Sequence, residues 1–156
     1  MSIADYQGRT VDVLAYLGGN PAGGNVLLTM ALATEDTRGQ ICTGIQKLAQ
    51  RFLLELFTEK GSMRFNSSRG CDFMTQARQN YFRTSFDILA AFSSSLVDIT
   101  TNLQGEESED DPDDEKFESA EVLSVSLAAG NASITIQVTS VAGTSRSVIA
   151  PIEVTV

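Results

Sequence analysis

Between Ile41 and Leu103 the apolar residues recur in steps of three and four, and after Glu121 they recur in steps of two. The first spacing is met by an amphipathic helix and the second by a half-buried strand, so from Ile41 onward the chain must change structural class once. Ile41, Ile45, Leu48, Phe52 and Leu56, broadened by Ala49 and Leu53, define a first helix. Gln46, Lys47, Gln50, Arg51 and Glu55 fall largely on its opposite side. Thr37-x-x-Gln40 and Thr43-x-x-Gln46 both have the form of a capping box at its start, and Gly61 is the expected stop. Phe82, Phe86, Leu89, Phe92, Leu96, Ile99 and Leu103 define a second helix, with Thr84-x-x-Asp87 as its cap and Gly105 as its end. The stripe places Phe86 in the core, where Phe86→Ala should cost about 3–5 kcal/mol.

Beyond Glu121, Leu123, Val125 and Leu127 alternate with serines, and Ile134, Ile136 and Val138 alternate with Thr135, Gln137 and Thr139. Ile152, Val154 and Val156 follow Pro151 at a spacing of two, and Gly130-Asn131 and Ala142-Gly143-Thr144 mark the turns. This is an antiparallel three-stranded meander with one buried face. Upstream, residues 11–17 and 26–32 are short apolar runs around a loop of glycine, asparagine and proline at 18–25, which reads as a β-hairpin; a helix over 26–34 is the alternative. The loop lacks the lysine of a phosphate-binding P-loop. The fold class expected is therefore α+β, with two main amphipathic helices packed on the C-terminal meander and an N-terminal hairpin. A chain of 156 residues suits one domain burying roughly 70% of its unfolded surface. Its parts are an N-terminal hairpin extension (1–36), a helical core (37–105), an acidic loop (106–121) and the meander (122–156).

Charge and residue types then remove whole classes of function. Residues 106–121 carry ten acids against one base, Lys116, while the other ten acids and ten bases balance, so the net charge of −9 sits in one segment. A surface without excess positive charge disfavours nucleic acid. No apolar run approaches the roughly 20 residues of a membrane span, and the N-terminus does not have the form of a secretory signal. The absence of histidine excludes Ser-His-Asp and Cys-His nucleophiles and histidine-ligated zinc. Cys42 and Cys71 read as buried small hydrophobes in a reducing compartment. Asp111-x-Asp113-x-Glu115 resembles the start of a calcium loop, but Lys116 stands where that loop needs glycine and Val122 where it needs a bidentate glutamate. The segment reads instead as a solvated, disordered linker, and no cofactor or metal is implied.

From residue 122 onward the charged residues are Arg146 and Glu153 alone. Sheet edges are usually guarded by charge, so this meander invites either cover by the N-terminal hairpin or strand addition by another chain.

In order and spacing, Thr43-Gly44-Ile45-Gln46-Lys47-Leu48-x-Gln50, Leu53-Leu54-x-Leu56-x-Thr58-x-x-Gly61-Ser62 and Gly70-Cys71-Asp72-Phe73 resemble the small baseplate wedge subunit of contractile phage tails. That family is related to a type VI secretion baseplate component and has at times been labelled lysozyme-like. The resemblance covers about residues 40–156. It implies a structural, non-enzymatic protein of the virion tail baseplate, assembled in the host bacterial cytoplasm. The implied partners are other wedge proteins, the tail sheath protein and tube-proximal hub proteins, with no nucleic acid and no membrane. The family's Glu-Pro-Arg motif has its nearest equivalent in Glu115, Lys116 and Phe117, although lysine does not reproduce the bidentate fork of arginine. With the edge residues Ile152, Val154 and Val156, these are the expected partner-binding residues, and Val154→Pro is expected to spare the monomer but block sheath assembly. Two other classes remain. One is a peptidoglycan-cleaving enzyme using carboxylates from Glu55, Glu59 and Asp72, all of which a charged helix-end surface would also explain. The other is a binding module that captures a basic partner through the acidic loop.

Overall fold

The computed structural model describes residues 9, 12–13, 41–128 and 131–153. A two-residue ladder pairs β1 (Asp12–Val13) with β2 (Ile41–Cys42) in antiparallel fashion. Three helices follow, α1 (Gly44–Phe57), α2 (Phe73–Arg78) and α3 (Ser85–Gly105), and then three strands, β3 (Phe117–Ala128), β4 (Asn131–Ser140) and β5 (Ser145–Glu153). The sheet order is β3-β4-β5, antiparallel throughout, and the class is α+β as expected. Ile41, expected in the first helix, is in a strand and the helix starts at Gly44; apart from Asp12 and Val13, the segments 11–17 and 26–32 expected to form a hairpin lie outside the described residues, as do Val154 and Val156.

The helices cover one face of the meander. α1 packs on β4 and β5, and α3 packs on β3. On β4, Ala132, Ile134, Ile136 and Val138 point inward, joined by Val148, Ala150 and Ile152 of β5, and all are buried. Against them lie Leu48, Phe52, Leu53 and Leu56 of α1 and Phe92, Ile99 and Leu103 of α3. Phe52 sits at the junction, stacked on Phe117 at 5.8 Å between ring centroids and tilted against Phe92 at 6.2 Å. That contact ties one residue from α1, one from α3 and the first residue of β3 into a single aromatic group.

The periodicity located α3 and most of its buried face, with Phe92, Ile99 and Leu103 in the core and Leu96 packed against it, but misplaced the first turn. The buried residues are Ile88, Ala91, Phe92, Ser95, Ile99 and Leu103. Phe86 is 75% exposed and Leu89 39% exposed. The reason is that α3 is apolar on two sides: Phe86, Ala90 and Val97 recur at helical spacing on the side opposite Ile88, Phe92 and Ile99, so spacing alone fits either set. Phe82 precedes the helix and packs on Phe73, with ring centroids 5.1 Å apart. Phe73 opens α2, a six-residue helix with no strong apolar period of its own.

The ends of the elements differ in mechanism from the sequence reading. Thr84 and Asp87 do form the capping box of α3, with Asp87 N–H donating to Thr84 Oγ1 at 3.2 Å and Thr84 N–H donating to Asp87 Oδ2 at 2.8 Å. α1, however, stops at Thr58, which leaves the helix in an extended conformation while its hydroxyl donates to the Leu54 carbonyl at 2.6 Å. Gly61 lies beyond, in the following turn. Gly105 is the last residue of α3 and is not in the left-handed region, so it does not act as a glycine stop.

The acidic segment is a folded connection, contrary to the expectation of a disordered linker. Residues 106–116 form successive turns, and Lys116 and Asp113 carbonyls accept the Val141 and Ala142 N–H groups, each at 3.0 Å, which pins the β4–β5 turn onto it. The first meander strand also starts at Phe117, five residues earlier than its alternation indicated. Two register shifts explain this, one between Phe117 and Ser119 and one between Val122 and Ser124. Each adds one residue, so the inward set is Phe117, Ala120, Val122 and Val125. Leu123 sits at the second bulge and is 50% exposed, which corrects its assignment to the buried face, whereas Leu127, opposite inward Ala132, keeps that face but is 38% exposed near the end of the strand.

Two measurements follow from this packing. Phe86→Ala should change unfolding free energy by less than about 0.5 kcal/mol, whereas Phe92→Ala should cost about 3–5 kcal/mol in urea denaturation. The Thr84 hydroxyl and backbone N–H hold the Asp87 carboxyl below its ordinary value of 3.8. A depressed carboxyl contributes stability above its unfolded value and loses it as pH falls through the folded one, so the α3 cap should weaken only below about pH 4. An NMR titration of Asp87 with its midpoint below 3.8 is the expected result.

Candidate functional site

Helix α1 begins without a local cap. Thr43 is the N-cap residue, yet its side chain accepts no bond from the helix. The partner comes from the far end of the acidic segment, where Glu115 Oε1 accepts the Gly44 N–H at 2.9 Å and Glu115 Oε2 accepts Lys47 Nζ at 2.6 Å. Glu115 is only 3% exposed. A carboxylate placed on the positive end of a helix and paired with a lysine is doubly favoured, and each bond is charge-assisted. Arg9 completes the group, with Nη1 2.8 Å from Asp114 Oδ2 and 3.6 Å from Glu115 Oε1. Gly44 has φ +60, and a Cβ built there would stand 2.7 Å from Asp114 Oδ2. Glycine is the residue that meets both constraints.

The other end of α1 is held by a second buried carboxylate, Glu55, which is 1% exposed. Its Oε2 accepts the Gly70 N–H at 3.0 Å and Asn102 Nδ2 at 3.2 Å, and its Oε1 accepts the Arg69 Nε–H. Arg69 and Arg51 both reach Glu106, at 3.0 and 3.2 Å, so the start of the acidic segment is drawn to α1 as its end is. Gly70 has φ +86, and a Cβ there would lie 2.3 Å from the Thr58 carbonyl oxygen. Cys71 N–H donates to that same oxygen at 2.9 Å. Burial pushes the Cys71 and Cys42 thiols above their ordinary value, and both are free.

The residues expected to bind partners fall mainly inside the frame. Glu115 and Phe117 are buried, and Ile152 points into the core at 3% exposure. Lys116 is half-buried and donates to the Glu109 carbonyl at 3.3 Å and Asp113 Oδ1 at 3.4 Å. The cations that serve Glu115 are Lys47 and Arg9 rather than the adjacent Lys116. Of the three carboxylates considered for catalysis, Glu55 is engaged as above, which corrects its assignment to a helix-end surface, Glu59 pairs with Arg78 at 2.8 Å and Asp72 is exposed. The calcium-like trio diverges as well. Asp111 accepts the Ser108 N–H, Asp113 pairs with Lys116 and Glu115 caps α1. Among the described residues no group of three or more cysteine, aspartate or glutamate side chains is placed to hold a metal ion, and no helix is long and apolar enough to cross a membrane.

What the sequence did not reveal is the outer edge of β3. Its first residue is capped by side chains: Phe117 N–H donates to Glu107 Oε1 at 2.5 Å and the Phe117 carbonyl accepts Gln104 Nε2 at 3.4 Å. Beyond Phe117, no hydrogen bond reaches that edge among the described residues, and β4 pairs only its other side. After the bulge at Leu123, Ser124 to Ala128 pair regularly with β4 and carry no charge.

No protein-family model matches the chain, and no curated protein matches it. Among solved structures it is similar to a "putative tail lysozyme" from Geobacter sulfurreducens, with 16% identity over 82% of this chain and 98% of that one and a TM-score of 0.42. A likeness at that level carries no argument about function.

Removing the carboxylate at the start of α1 takes a charge-assisted bond from half-buried Lys47 and frees a helix N-terminus. Glu115→Ala should cost about 3–5 kcal/mol in urea unfolding, while Glu109→Ala, at an exposed position, should stay within about 0.5 kcal/mol.

Proposed function

We propose that this chain is a structural component of a contractile-tail baseplate, a small wedge subunit that links the wedge to the first sheath ring by strand pairing. The observation that carries this reading is the outer edge of β3 from Ser124 to Ala128, which no other strand pairs among the described residues and which is uncharged and bears exposed Leu127 beside exposed Leu123. Free edges of this kind are normally blunted, and one left open is a site for main-chain pairing with another chain. The family resemblance of residues 43–73 supports the same reading. Those residues serve the frame: Thr58 ends α1, Glu55 and Gly70 close the turn, and Phe73 re-enters the core. Such a scaffold holds the meander in place without offering a reacting group, and the full engagement of Glu55 favours structure over catalysis.

In this reading the partners are other wedge proteins, the tail sheath protein and tube-proximal hub proteins, and the site of action is the virion tail baseplate after assembly in the bacterial cytoplasm. Neither nucleic acid nor membrane takes part. β5 is the second edge strand, and its Pro151, opposite Ser133, is tolerated because edge strands accept proline. The last two residues expected to pair, Val154 and Val156, lie outside the described residues.

Replacing Leu123 and Leu127 together by lysine adds charge at two exposed positions on the edge. The monomer should keep its circular dichroism spectrum and lose less than about 1 kcal/mol. In complementation the same variant should yield baseplates without sheathed tails. Normal numbers of full-length sheathed tails would refute the strand-pairing function.

A further inference from the structure

The β3 edge has two chemically different halves, and together they specify the strand that would pair with it. Its first half carries Glu118 and Glu121, both exposed, and neither has a cation within ion-pair distance among the described residues. Glu107 stands at the very start of the edge, its carboxylate on the Phe117 N–H. Exposed Glu109 and Asp110 lie in the connection just before. The second half, Ser124 to Ala128, is neutral and regular. The two bulges fall at Glu118 and at Leu123, so the acidic half is also the irregular half, where main-chain pairing is poorest.

We infer that the partner strand is asymmetric in charge along its length: a neutral, alternating segment pairs antiparallel with Ser124–Ala128, and lysine or arginine follows immediately on its C-terminal side. Antiparallel pairing is the geometry of the existing sheet, and it sets the C-terminal end of an added strand opposite the start of β3. There the backbone match is lost at the bulges and charge takes over, with Glu121 and Glu118 as the facing carboxylates. The neutral half supplies main-chain bonds and the acidic half supplies direction and register. A strand entering the other way would bring its basic end to Ala128, away from the two carboxylates that β3 carries. This inference rests on the strand-pairing reading above and adds the partner's chemistry and polarity to it.

The test uses the full chain and short fluorescent peptides of alternating valine and threonine, followed by Lys-Lys-Arg, with binding read by anisotropy at low salt. Control peptides carry a glutamine tail, carry the basic residues at the N-terminal end, or are N-methylated at alternate backbone positions. The C-terminally basic peptide should bind about three- to tenfold tighter than the glutamine-tailed and the reversed peptides, the range expected for two exposed ion pairs. That advantage should vanish in high salt and in the Glu118→Gln/Glu121→Gln variant. The N-methylated peptide should not bind. Equal binding of the basic, glutamine-tailed and reversed peptides would overturn the assigned partner chemistry while leaving strand pairing intact. Undiminished binding of the N-methylated peptide, or no binding by any peptide, would overturn strand pairing at this edge as well.

Discussion

The bond between Glu115 and the first turn of α1 is the constraint on which the arrangement of the chain depends. It joins residues 71 positions apart, so it fixes where the acidic connection must return before β3 can begin. A helix N-terminus presents unsatisfied N–H groups, and the local residue that should cap them, Thr43, does not. A carboxylate arriving from the connection meets that need, neutralises Lys47 and sits in the positive field of the helix. Two residues later Phe117 stacks on Phe52, so electrostatic and apolar anchoring occupy adjacent positions in the sequence. Glu55 does the same at the other end of α1, and between them the two carboxylates fasten the central helix to the turn before α2, to α3 and to the sheet.

These anchors account for the placement of charge. The acidic connection is not a uniformly solvated run: Glu106 serves Arg51 and Arg69, Glu107 caps Phe117, Asp114 serves Arg9, and Glu115 is buried. Only part of its charge remains for the surface, and β3 itself adds two exposed carboxylates, Glu118 and Glu121, in its first half. The edge of β3 is therefore polarised by its own sequence, acidic before Leu123 and neutral after it.

Much of the fold was legible in the sequence because period and composition are strong where one face is buried. α1, the capping box at Thr84 and Asp87, and the β4 alternation all follow from local pattern. The failures share a physical cause, which is that several structures satisfy one pattern. α3 has apolar residues on two sides, so Phe86 fitted the stripe as well as Ile88 did. A bulge moves a strand's phase by one residue without any mark in the sequence, and Leu123 consequently faced solvent. Buried carboxylates were invisible because nothing local distinguishes Glu115 or Glu55 from the other acids; their partners are distant in sequence. The open β3 edge was missed because weak guarding was sought at the end of the chain.

The central claim is that this molecule works through the edge of its meander. The most direct test is electron microscopy of the native assembly that contains the chain, at a resolution that separates strands. The account predicts a fourth strand from a neighbouring subunit hydrogen-bonded antiparallel along Ser124–Ala128, with its C-terminal end toward Glu118. An edge that remains solvent-exposed in the assembled particle, with neighbours contacting the protein elsewhere, would contradict it.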